Sequence, residues 1–257
     1  MTAGEMSAAI VTSAMPGARN TKPTTRPIST FRTMTRPGYW SGLLSCERRS
    51  VWQSGHDGLH ASKTVNDGVK GLGVDLSSAF IDAARSRAIE LGVSERVRFE
   101  HGDAAGYVAA ERVHVAACLG ATPWIGGGVL GTVDLLTRSL RSDGLVLIGE
   151  PYWVHVPASD DLARACHARH RDEWSTLPEL LSSFADHGLD LVQMVLAGPD
   201  DWDAYHGLQW LNLRRWLDAN RGDELWAGLR AELDRAPAGH LITRKHLGWG
   251  AFALMPR

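Results

Sequence analysis

Between Gly71 and Trp153 short apolar runs alternate with stretches of helical spacing, and the runs reach an acid or a glycine at their ends. No other feature constrains the fold as much. GLGVDL reaches Asp75, RVRFEHGDA reaches Asp103, VHVAACLGA runs into Gly120, and LVLIGEPYW carries Glu150. After the first run, Ser77 or Ser78 can cap a helix over AFIDAARSRAIELGV, where Phe80, Ala84, Ala88 and Leu91 recur at helical spacing and Gly92 follows as a stop. LGTVDLLTRSL predicts an amphipathic helix, with Gly126, Gly127 and Gly128 as a flexible loop ahead of it and a turn at 141–144 behind it. Strands that alternate with helices in this way form a parallel sheet covered on both faces. Ligands of such sheets lie beyond the carboxyl ends of the strands, which predicts that Asp75, Asp103, Gly120 and Glu150 face one crevice.

Past Trp153 the text predicts a helix over 160–171 and another over LPELLSSFADHG, whose Leu177, Leu180, Leu181 and Phe184 share a face. LDLVQMVLA and LGWGAFALMPR read as two further strands separated by a long polar-aromatic segment at 200–235. A helical excursion between the final two strands predicts an antiparallel, hairpin-like addition to the sheet. Residues 1–67 hold neither a period of two nor one of 3.6, and Thr, Pro, Ser and Arg dominate their middle. The expected organisation is therefore a poorly structured or atypical segment at 1–67 and an α/β domain at 68–257.

Composition narrows the function classes. Of 257 residues 44% are hydrophobic, enough for a sizeable core, and no apolar run approaches the ~20 residues a bilayer crossing needs. A soluble protein without a membrane partner is expected. Residues 1–67 carry eight Lys and Arg against four Asp and Glu, whereas 68–257 carry 19 against 25. The basic residues of TKPTTRPISTFRTMTRP are scattered, without helical clustering or interleaved aromatics, so nucleic acid is not an expected partner. Cys46, Cys118 and Cys166 have no paired spacing, and the N-terminus lacks positive charge ahead of an apolar stretch. The cytoplasm is the expected compartment. His167 and His170 could share a helix face, but no third ligand accompanies them, and no metal site is expected. Of ten tryptophans, Trp202, Trp210, Trp216, Trp226 and Trp249 fall in the last quarter. Helical spacing in LQWLNLRRWL favours core packing, with an aromatic wall for an apolar or cationic acceptor as the alternative.

Taken together, GVDLS, RVRFEHGDAAGY, VAACLGATPWIGG and LRSDGLVLIGEPYW resemble the class I S-adenosylmethionine-dependent methyltransferases, close to bacterial small-molecule members, over residues 68–257. The resemblance implies a Rossmann-like, doubly wound, mostly parallel sheet with an antiparallel C-terminal strand. It also implies S-adenosylmethionine as cofactor and a small-molecule methyl acceptor. On this resemblance Asp75, with Leu76 beside it, accepts hydrogen bonds from the two ribose hydroxyls. Asp103 would meet the adenine amine, beside the backbone of Ala104, and Gly102 permits close approach. Leu119 and Gly120 would lie near the methionine part. Each has a local alternative: Asp75 as a helix cap, Asp103 as an Asx-turn residue, Gly120 as the start of a loop. The cofactor supplies the electrophile in an in-line displacement, so the protein contributes alignment, desolvation and sometimes a base. Glu150 and Tyr152 are the candidate catalytic residues, Glu150 as proton acceptor or, alternatively, as a buried acid bonded to backbone.

The glycine-rich loop of the family should precede Asp75. RRSVWQSGHDGLHASKTVNDG retains Gly55 and Gly58, yet no apolar strand comes before them. The first strand is the centre of such a sheet, and it is expected to be degenerate or absent. Two rival readings follow. One is a degenerate, non-catalytic remnant of the fold that lacks cofactor binding. The other is an NAD(P)-dependent oxidoreductase, since an acid ending the second strand suits any adenosine ribose; HGDA after the third strand and the missing G-x-G-x-x-G weigh against it. The abrupt change in periodicity near Gly68 predicts a change of reading frame. Translating the coding DNA upstream of codon 68 in the other two frames should recover a glycine-rich loop, and its absence from both removes the idea.

Overall fold

Alternation along three strands builds the core. In Val113–Leu119, Ala116 and Cys118 point to one face and Ala117 to the other; Val146 and Ile148 oppose Leu147, and Phe252 and Leu254 oppose Ala253. These strands are buried on both faces, as parallel sheets require. The computed structural model describes residues 6–11, 52–55, 58–61 and 69–257. Its strands are β1 Met6–Val11, β2 Trp52–Gly55, β3 Gly58–Ala61, β4 Val69–Asp75, β5 Val97–His101, β6 Val113–Leu119, β7 Leu140–Trp153, β8 Leu189–Leu196 and β9 Leu247–Pro256. The helices are α1 Ser78–Glu90, α2 Thr122–Ile125, α3 Gly128–Thr137, α4 Asp160–Ala165, α5 Leu177–Asp186, α6 Pro199–Ala219 and α7 Trp226–His246.

Among the described residues, one seven-stranded sheet has the order β5-β4-β1-β6-β7-β9-β8, and β2 with β3 forms a separate antiparallel pair. Neighbours from β5 to β7 are parallel, while β9 is antiparallel to both β7 and β8. This is the doubly wound, mostly parallel sheet with an antiparallel C-terminal strand. One core lies under α3 and α5, where Val133, Leu135, Leu136, Leu180 and Phe184 meet the β6, β7 and β9 side chains. The other lies under α1.

The central position is occupied by β1. Its Val11 pairs with Val74 on one side and Cys118 on the other. The sequence reading sought this strand just ahead of Asp75 and expected it degenerate or absent; the difference is one of place, since MSAAIV lies some sixty residues earlier in the chain. Gly55 and Gly58, read as the remains of a glycine-rich loop, pair with each other in the β2–β3 hairpin. The Thr-Pro-Arg stretch and Cys46 lie outside the described residues.

Local capping follows the residue types. Ser77 is the N-cap of α1 and accepts from the Phe80 N–H, and the buried face is Ile81, Ala84 and Ala88, one residue displaced from the predicted start at Phe80. Thr176 and Glu179 form a reciprocal capping box on α5. Three expectations needed correction: the turn expected at 141–144 lies within β7, and the other two concern helices. The helix over 160–171 is only α4, after which His167 adopts a φ of 69°, so His167 and His170 share no helix face. The segment 200–235 contains one helix and half of a second, and α7 runs unbroken through Pro237 into β9. No helix among the described residues is long and apolar enough to cross a membrane.

Gly149 sits where β6 and β7 meet, paired with Leu119, and an added Cβ would lie 2.6 Å from Trp249 Cζ2 and 3.0 Å from Leu119 Cα. Gly149→Ala should therefore cost about 1–3 kcal/mol through overpacking, read as a lower urea midpoint at unchanged slope. A midpoint equal to wild type would show that this wall yields.

Candidate functional site

Parallel register brings the expected residues to one edge of the sheet. Asp75 ends β4 and pairs with His101; Val11 lies between Val74 and Cys118; Leu119 pairs with Gly149, next to Glu150. The carboxyl ends of five adjacent strands are thus in step.

Asp75 is buried, and its Oδ1 accepts from the Ser77 N–H at 2.7 Å. Its carbonyl accepts from the Gly102 N–H at 3.0 Å, tying the end of β4 to the segment after β5. Leu76, the next residue, is exposed, and its carbonyl accepts from His101 Nε2 at 2.8 Å, which puts the ring proton on that nitrogen. Asp103 is exposed and caps a single 3₁₀ turn, Ala104–Gly106, with Oδ1 accepting from the Ala105 N–H at 2.9 Å. Ala104 is buried beneath it. Asp103 thus has the turn role offered as its alternative, whereas the helix cap offered for Asp75 is Ser77, and Asp75 makes a turn bond to it. A carboxylate accepts several hydrogen bonds, so one turn bond does not exclude a ligand.

Space accompanies the acids. A Cβ on Gly102 would meet nothing nearer than Val74 Cγ1 at 4.0 Å. Gly120 is exposed, holds a φ of +70°, and would meet nothing within 4 Å. Backbone conformation, not crowding, demands glycine there, and its N–H donates to the Gly149 carbonyl at 2.9 Å. Leu119 is half-buried beside it.

Glu150 and Tyr152 are buried on β7. Glu150 is buried, with Oε2 accepting from the Thr122 hydroxyl at 2.6 Å, and Thr122 is itself buried. Burial pushes the Glu150 carboxyl up to about 7, against the lowering effect of that hydrogen bond. It is a carboxyl poised to carry a proton near neutrality. Its partner is a threonine side chain, not the backbone envisaged as the bland alternative. Tyr152 lies against Gly248, packed into the core under α3 and α5, and burial raises its phenol. Cys118 is fully buried on the same strand edge and pushed up to about 12, which leaves an unreactive thiol.

Sequence reasoning missed Thr122, which carries no motif of its own. It named Trp202 and Trp210 but missed the residues that join them in a cluster on α6 and α7: His206 stands midway between them at spacing four, and His240 and Arg244 repeat that spacing on the facing helix. Among the described residues, no group of three or more His, Cys, Asp or Glu side chains is placed to hold a metal ion.

No family model matches the chain. It is similar to the Escherichia coli (strain K12) protein YjhP, 51% identical over 191 residues, which are 74% of this chain and 77% of that one. Aligned on the crystal structure of YjhP the whole chain is covered, with 88% of YjhP, at a TM-score of 0.71 and 40% identity. The added quarter thus contributes few identities. A SAM-dependent methyltransferase from Geobacter sulfurreducens, solved in complex with S-adenosyl-L-homocysteine, is 54% identical over 74% of this chain and 76% of its own, with a TM-score of 0.70. Another, from Thiobacillus denitrificans and in complex with the same compound, is 41% identical over 99% of this chain and 87% of its own, with a TM-score of 0.72.

The buried carboxyl sets a pH dependence. Glu150 keeps a proton in the fold up to about 7 and releases it near 4.5 when unfolded. Its stability contribution is therefore full below pH 4.5 and is lost as pH rises to about 7. Glu150→Gln should remove that slope and be the more stable protein at alkaline pH by roughly 3 kcal/mol, measured by urea titration across pH. Parallel profiles for the two proteins would contradict the assignment.

Proposed function

This chain belongs to the class I S-adenosylmethionine-dependent methyltransferases, and we propose that it transfers a methyl group to a small molecule. S-Adenosylmethionine is the cofactor of the family, and when bound it supplies an electrophilic methyl on a sulfonium. The carrying observation is the alignment of Asp75, Asp103 and Gly120 on one carboxyl edge, with open space at Gly102 and Gly120. Asp75 takes the ribose hydroxyls beside exposed Leu76, Asp103 takes the adenine amine above Ala104, and Leu119 and Gly120 flank the methionine part. Glu150, held by Thr122, holds or takes a proton on the acceptor side; Tyr152 braces the strand that presents it. The protein aligns the two reactants and keeps water from them, which is where most of the rate comes from in such a displacement. We place it in the cytoplasm, where the buried thiols of Cys118 and Cys166 remain reduced.

A second reading has its own support. The N-terminal quarter adds few identities to the YjhP comparison, and Gly55 and Gly58 lie in a hairpin instead of a cofactor loop. A fold that kept the sheet and lost cofactor affinity would look like this.

Calorimetric titration with S-adenosylhomocysteine separates the two. Micromolar binding is expected, weakened about 10- to 100-fold in Asp75→Ala and in Asp103→Ala, each of which removes charged hydrogen bonds to the nucleoside. Circular dichroism confirms that the variants are folded. Silence from wild type supports the degenerate reading, and full affinity in both folded variants sinks the assignment of the two acids.

A further inference from the structure

α6 begins and α7 ends at the same edge of the sheet, because β8 leads into α6 and α7 leads into β9, whose Leu247 pairs with Trp153 at the end of β7. Trp202, in the first turn of α6, packs on the cluster formed by Trp153, Ala163, Cys166, Ala168 and Leu247. That contact lies three residues beyond Glu150 on β7.

Behind Trp202 stands a box of rings. His206 stacks on Trp202 with centroids 5.7 Å apart and lies 4.4 Å from His240; Trp210 meets His240 edge-on at 5.7 Å. His240 is only 6% exposed. Its Nε2 lies 2.7 Å from Asp203 Oδ1, and Arg244 grips the same carboxylate through Nε at 2.8 Å and Nη2 at 3.1 Å. Arg244 first and His240 second hold the Asp203 carboxyl down at about 2, so it is ionised and accepts. Nε2 therefore carries a hydrogen toward that carboxylate, and Nδ1 is the ring nitrogen on the other side. Among the described residues that Nδ1 has no hydrogen-bond partner, nor has the buried Trp202 Nε1–H, nor His206 Nε2. Buried polar atoms are almost always paired, and three orphans among touching rings point to a missing ligand.

The chemistry of the orphans defines that ligand. Trp202 Nε1–H is a fixed donor, and the two histidine nitrogens can each accept or donate. A hydroxyl group, which both accepts and donates, matches such a set. Charge is not called for, since Arg244 already neutralises Asp203. Burial, with His240 and His167 nearby, pushes His206 down to about 4, so it too is uncharged at neutral pH. The aromatic rings of Trp202, His206 and Trp210 beside these atoms suit a ring-shaped ligand.

We infer that Trp202, His206 and His240 form the acceptor-recognition site of the proposed methyl transfer and that it takes a neutral, ring-shaped small molecule bearing a hydroxyl group. The inference rests on the methyltransferase reading for its place in the reaction and on the orphaned atoms for its chemistry.

Phenol is the probe, with toluene as the same ring lacking the hydroxyl and tetramethylammonium as a cation. Side-chain ¹⁵N resonances of the histidines are followed in the full chain, with and without S-adenosylhomocysteine. Phenol should shift His240 and His206 saturably, with toluene about tenfold weaker, as expected for one lost hydrogen bond at a buried polar group. His240→Gln keeps an N–H for Asp203 but moves the remaining acceptor, an amide oxygen, away from the position of Nδ1; it should weaken phenol about tenfold while leaving S-adenosylhomocysteine binding unchanged. A merely packed cluster would show no such loss. Unshifted histidines, equal affinity for toluene, preference for tetramethylammonium, or wild-type phenol binding in His240→Gln would each overturn the site. Phenol binding as expected in a chain that ignores S-adenosylhomocysteine would overturn the methyl-transfer role and leave the pocket standing.

Discussion

Parallel pairing on both sides of β1 is the interaction on which the rest depends. Asp75 belongs to β4 and Gly120 follows β6, and these two strands touch only through the six residues that lie between them. A parallel ladder hydrogen-bonds each strand to two neighbours, so the central strand sets the spacing and the height of both flanking carboxyl ends. Val11 opposite Val74 and Cys118 is the point at which the two halves of the site come into step. Without that alignment the acids would still cap their own turns, but they would not share an edge.

The edge divides into a solvated half and a buried half. Asp103, Leu76 and Gly120 are exposed, on elements that end in tight turns. Glu150, Thr122, Cys118 and Tyr152 are buried on or beside β6 and β7, closed over by β9. Gly149 and Gly248 allow that closure, since a side chain at either would strike Trp249 or Tyr152 respectively. The antiparallel C-terminal strand is therefore more than an edge. By burying Glu150 it raises the carboxyl into the range where a proton can be exchanged at neutral pH, and a surface glutamate would be ionised.

Beyond β7 the chain spends two long helices on a separate polar network. The Asp203–Arg244 pair is exposed, and its value lies in fixing the tautomer of the buried His240 more than in stability. Like the Glu150–Thr122 pair, it uses a neighbour to set the state of a group that faces inward. Both arrangements lie toward the carboxyl ends of the parallel strands, as the two aspartates do.

Much of the fold was legible because it is written in local terms. The apolar runs of β6, β7 and β9, the Ser77 cap, and the acids at strand ends all depend on residues within a few positions of one another. Those are the properties a linear text determines: an alternating α/β sheet, its antiparallel end, and the family it resembles. What the tertiary structure alone decided involves distant partners. It moved the central strand to Met6–Val11, paired Glu150 with Thr122 and Tyr152 with Gly248, and brought Asp203 to His240 across 37 residues. The physical reason is that pairing, burial and protonation state are properties of an environment, and here each environment is assembled from segments that the sequence keeps far apart.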